Sequence, residues 1–114
     1  IERGVVKLEE DLRAIHQRYG KPIILSEFGA DAVHGLHTQP AEMFSEEYQA
    51  QMLERYLDVT DRLPFVIGQH IWNFADFKTG QNITRVGALN RKGVFTRDRQ
   101  PKMAAHMLRR RWTS

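Results

Sequence analysis

An acid placed just behind a short apolar run, and an amide two residues from an ammonium, are the groups in this 114-residue sequence best arranged for chemistry. Glu27 follows Ile23-Ile24-Leu25-Ser26 and precedes Phe28-Gly29, so its carboxylate is expected at the end of a strand, where the chain turns away. Such a position suits a catalytic acid, and equally a strand-end acid paired with a nearby base. Asn90 and Lys92, in Asn90-Arg91-Lys92-Gly93, both donate hydrogen bonds. Charge-assisted bonds are the stronger class, so the pair suits a substrate carboxylate, the plainer alternative being a solvated basic turn. Arg85 supplies a further cation in the preceding loop. Trp72, in Ile71-Trp72-Asn73-Phe74-Ala75-Asp76-Phe77, offers a flat ring against which the apolar face of a pyranose packs, although a core Trp has the same signature. Asp76 is read as a structural acid.

Other motifs carry less. His34 and His37 stand three apart, but no helix or carboxylate partner supports a metal pair, so no metal or cofactor is expected. Asn82-Ile83-Thr84 fits a glycosylation acceptor, a pattern that matters only in a secreted protein. The absence of cysteine removes disulfides, thiol nucleophiles and thiolate metal sites, and suits a reducing compartment. No apolar stretch approaches the roughly 20 residues of a membrane helix, so no membrane partner is expected. Ile1 to Glu10 lacks the basic start and apolar block of a secretion signal. Between Arg91 and Ser114 lie eight Arg or Lys and one acid, Asp98. A nucleic-acid footprint is the alternative there, but no recognised motif accompanies it, and Arg109, Arg110 and Arg111 fall where a helix C-terminus favours cations.

The elements that must position these groups alternate. Val5, Leu8, Leu12 and Ile15 mark one face of a helix running from Val5 to Tyr19, which Gly20 ends. Ile23 to Leu25 is an unbroken apolar run, predicting a strand buried on both sides. Asp31 to Met43 is expected to be a long loop. Ser45 is expected to cap a helix that carries Tyr48, Met52, Tyr56 and Val59 to about Leu63, where Pro64 breaks it. Phe65 to Phe74 predicts a second strand, Asp76 to Asn90 a second long loop and Gly93 to Phe95 a short extended piece. Pro101 opens a last helix, Lys102 to Arg111, from a place near its first turn. Helix, strand, helix, strand, helix argues for parallel α/β structure. Two strands cannot cover a doubly buried strand, so the chain is expected to be one fragment, residues 1–114, of a larger domain.

The segments Ile24-Leu25-Ser26-Glu27-Phe28-Gly29, Phe44-Ser45-Glu46-Glu47-Tyr48-Gln49, Trp72-Asn73-Phe74-Ala75-Asp76-Phe77 and the run Asn90 to Lys102 resemble the β-glucuronidases of glycoside hydrolase family two. The resemblance implies the C-terminal portion of a (β/α)₈ TIM barrel: helix 6, strand 7, helix 7, strand 8 and helix 8. It implies that Glu27 is the nucleophile of a retaining glycosidase, that Asn90 and Lys92 hold the carboxylate of a glucuronide, and that Trp72 stands beside the sugar. Arg85 matches an arginine of the same loop, which here is one residue longer. The acid/base of that family lies in an Asn-Glu pair, and this chain has no such dipeptide. The fragment alone is therefore expected to be inactive. The expected partner is a small-molecule glucuronide, with a galacturonide as the alternative. The parent is expected to be a cytoplasmic, bacterial homo-oligomer, a dimer or tetramer, with a lysosomal or secreted parent as the alternative.

Overall fold

A computed structural model describes residues 1–114. Helix α1 (Glu2–Tyr19) ends at Gly20, whose φ of 65° lets its N–H close back on the His16 carbonyl. Its Val5 and Leu12 are buried, as their spacing predicts, but the helix starts before Val5, at Glu2, whose carboxylate pairs with Arg55 at 2.7 Å. Strand β1 (Ile23–Phe28) leads through a loop to helix α2 (Glu46–Arg62). Ser45 caps it, its Oγ accepting the Tyr48 N–H at 3.1 Å. Strand β2 (Val66–Ile71) returns parallel to β1. A small antiparallel pair, β3 (Phe77–Lys78) and β4 (Leu89–Asn90), precedes helix α3 (Met103–Thr113).

The core has two parts. Phe28, Leu53, Leu57, Val94, Met107 and Leu108 join the ends of the strands to α2 and α3, and Val5, Leu12, Val59 and Leu63 seat α1 on α2. Leu53 and Leu57 are fully buried, each contributing about 1.5–3 kcal/mol by removal from water.

Within these 114 residues Ile24 is 55% exposed, because the sheet holds two strands with helices packed on one side, in keeping with the expected lack of neighbouring strands. Three expectations need correction. The buried face of α2 runs through Gln49, Ala50, Leu53, Leu57 and Thr60, and Tyr48, Met52 and Tyr56 form its half-buried flank. The stretch 76–90 contains the β3–β4 pair rather than loop alone. Pro101 lies outside α3, because Lys102 occupies the capping position and Met103 is the first helical residue.

Candidate active site

Regular alternation along β1 would put Glu27 with Ile23 and Leu25, facing the helices. A register shift prevents this: Leu25 pairs with Gln69 and Phe28 with Ile71, three residues of β1 against two of β2. The extra residue is a bulge that inverts the faces beyond it. Phe28 takes the inward place and packs on α2, while Ser26 and Glu27 are left exposed. The Glu27 carboxylate makes no ion pair or hydrogen bond within the chain.

The tips beyond the strands are fastened side by side. Phe28 accepts the N–H of Trp72 at 2.8 Å, and Lys92 accepts that of Asn73 at 3.0 Å. On the other side, the Ala32 N–H donates to the Arg91 carbonyl at 2.9 Å. Contacts this close need bare backbone: a Cβ at Gly29 would stand 1.9 Å from the Trp72 carbonyl oxygen, and one at Gly93 would stand 2.2 Å from the Asp76 nitrogen. Glu27, Trp72 and Lys92 thus sit at the ends of three adjoining segments.

Buried polar side chains lock this arrangement. Gln49, fully buried on α2, donates to the carbonyls of Ala30 at 3.2 Å and Gly93 at 2.9 Å. The Lys102 ammonium, also fully buried, donates to Ala32 O at 2.8 Å, Arg91 O at 3.0 Å and Asp76 Oδ1 at 2.9 Å, which uses all three of its protons. Burial pulls the Lys102 pKa below that of an ordinary lysine, and the Asp76 carboxylate only partly offsets it. Asp76 also accepts the Gly93 N–H at 3.0 Å, so it is structural, as expected. Glu46 ties the loop to α3 by accepting the N–H groups of Gly35 and Met103, both at 2.7 Å.

Asn90 is buried, and its Oδ1 accepts the Lys92 N–H at 3.0 Å. That bond fixes the amide orientation and leaves Nδ2, a donor, without a partner in the chain. The Lys92 ammonium lies 3.3 Å from Asp31 Oδ2, and Arg85 Nη1 lies 3.7 Å from Asp31 Oδ1. Trp72 is 39% exposed and meets Phe77 edge-on, with ring centroids 6.0 Å apart. The ring stands just past the end of β2. An opening of about 330 Å³ is lined by Gly29, Ala30, Asp31, Lys92, Phe44 and Tyr48, among others. Glu27 does not line it, and Arg85 lines a separate surface groove around residues 81–88. The chain therefore supplies one wall of a site, not an enclosed pocket.

The remaining motifs settle elsewhere. His37 Nδ1 donates to the Glu47 carboxylate at 2.7 Å, and that bond raises the His37 pKa. Thr84 closes a turn on the Asn82 side chain around the fully exposed Ile83. Gln49, Lys102, Glu46 and Asp31 each join residues far apart in the chain, and no local pattern in the sequence marks them.

Working residues of α/β barrels sit at the C-terminal ends of strands and in the loops that follow, which is where Glu27, Trp72, Asn90 and Lys92 lie. The chain belongs to glycosyl hydrolase family 2, whose TIM barrel domain matches residues 2–114. A β-glucuronidase of Paenibacillus borealis is 57% identical over 106 residues, which are 93% of this chain and 18% of that protein. The solved β-D-glucuronidase of Dictyoglomus thermophilum superposes with a TM-score of 0.93 at 61% identity, covering 96% of this chain and 19% of that one. The Bifidobacterium dentium β-glucuronidase, solved with coumarin-3-O-glucuronide, gives 0.93 at 47%, covering 99% of this chain and 18% of that one. The chain thus spans about a fifth of the length of these relatives and is part of a (β/α)₈ barrel.

Proposed function

We propose that residues 1–114 are the portion of a retaining exo-β-glucuronidase that carries its nucleophile and its carboxylate-reading pair. The observation that carries this is the bulge that turns Glu27 outward at the tip next to Trp72, with Asn90 and Lys92 fastened beside it. Glu27, ionised, attacks the anomeric carbon and expels the aglycone, forming a glycosyl ester that water then hydrolyses with net retention. Asn90 Nδ2 and the Lys92 ammonium hold the C6 carboxylate, and Trp72 packs on the sugar. The leaving oxygen takes its proton from an acid about 5 Å from Glu27, which in this family lies in an Asn-Glu pair that this chain does not contain. General acid assistance is worth about 10²–10⁴-fold, so the 114 residues alone are inactive.

A galacturonide is the second reading, because Asn90 and Lys92 serve either acid. Internal use of the cations weighs against a nucleic-acid role: Lys102 is buried, and Arg111 pairs with Asp58 at 2.9 Å and Asp61 at 2.7 Å. The enzyme needs no cofactor and works as a cytoplasmic dimer or tetramer. The test is a chimera in which residues 1–114 replace the matching segment of the Paenibacillus borealis relative. It should hydrolyse p-nitrophenyl glucuronide faster than the galacturonide, while the isolated chain and a Glu27→Gln chimera should not. A folded chimera indifferent to Glu27→Gln overturns the assignment.

A further inference from the structure

Asp31 lies four residues past Glu27, and nothing in the reaction above uses it. Its side chain is 20% exposed and sits amid three groups: Oδ2 is 3.3 Å from Lys92 Nζ, Oδ1 accepts the Arg91 N–H at 3.1 Å, and Oδ1 stands 3.7 Å from Arg85 Nη1. Lys92 has no other side-chain partner within the chain. A lysine is a point charge on a flexible four-carbon stem, so its aim must come from what holds it. Asp31 is itself held, because the backbone beneath it is tied through Ala32 N to Arg91 O and through Lys102 to Ala32 O.

We propose that Asp31 is a positioning residue that holds the Lys92 ammonium, with Arg85 behind it, at the place where Asn90 presents its amide to a substrate carboxylate. This rests on the glucuronidase reading. Two cations and one anion leave a single net positive charge at the site, which matches one carboxylate. Without Asp31 the two cations repel each other, and Lys92 swings toward solvent, where its 29% exposed side chain already leads.

The test uses the chimera and the ratio of kcat/KM for p-nitrophenyl glucuronide to that for p-nitrophenyl glucoside. Both are measured on one sample, so the ratio does not depend on how much of the enzyme is folded. Asp31→Asn keeps an oxygen for the Arg91 N–H but presents an amide to Lys92. It should lower the ratio roughly tenfold, mainly through KM for the glucuronide, the size expected for a misplaced charge-assisted bond. In a Lys92→Ala background the same change should move the ratio by less than about twofold, because the group it acts through is gone. An unchanged or higher ratio in the single variant overturns the proposal, as does an equal drop in both backgrounds. If Lys92→Ala itself leaves the ratio unchanged, the glucuronidase reading fails instead.

Discussion

Replacing Lys102 by methionine removes the ammonium at the junction of three segments and keeps most of its stem. Asp76, whose side chain is 2% exposed, then becomes a buried carboxylate with one remaining hydrogen bond, from Gly93 N. Breaking a buried pair by removing one partner costs about 3–5 kcal/mol. The Ala32 carbonyl also loses its donor, whereas Arg91 O keeps the Ala32 N–H, so about 1 kcal/mol is added. With a urea slope of about 3 kcal/mol per molar for a whole barrel, the unfolding midpoint of the chimera should fall by roughly 1.3–2 M. Circular dichroism of the chimera in urea measures this. A Lys102→Met/Asp76→Asn double variant should be less destabilised than the sum of its two singles by about 1–3 kcal/mol, because neither buried charge is then left alone. A Lys102→Met midpoint within about 0.3 M of the parent would refute the view that this lysine locks the site together.

Lys92→Met in the chimera should lower kcat/KM for the glucuronide about 10–100-fold, the worth of a hydrogen bond to a charged group, while hydrolysis of the glucoside is hardly altered. Ser45→Ala should cost about 1 kcal/mol in the same urea experiment, since the Tyr48 N–H loses its acceptor. His37 is drawn above its ordinary pKa of 6.5 by the Glu47 carboxylate. Its pairing therefore stabilises fully below 6.5 and is lost as pH rises through the higher folded value. Proton NMR of the imidazole should give a midpoint above 6.5 that Glu47→Gln brings back down, and a parent midpoint at or below 6.5 contradicts the pairing.

What could be read in advance was local. Gly20 as a stop, Ser45 as a cap and the strand ahead of Glu27 each depend on residues within one turn or one pleat. Alternation alone would have turned Glu27 toward the helices, because the bulge is a property of the pairing with β2 and leaves no mark in β1 itself. The buried face of α2 is not legible in the sequence because it carries Gln49 and Thr60, whose burial is tolerated through hydrogen bonds to distant or preceding carbonyls. The β3–β4 pair was hidden because each strand is two residues long, too short for a period to show. Asn90, Lys92 and Trp72 were found from side-chain chemistry and from resemblance, whereas the part played by Asp31 emerges only when Arg85, Arg91 and Lys92 are folded around it.

The direct trial of Glu27 is covalent trapping. A 2-deoxy-2-fluoro glucuronosyl fluoride slows both steps by destabilising positive charge at the anomeric carbon, while its good leaving group lets the first proceed, so the ester accumulates. Mass spectrometry of peptides from the inactivated chimera should find the sugar on Glu27 and nowhere else. A chimera inactivated by this reagent with Glu27 unmodified and the label on another carboxylate would contradict the account.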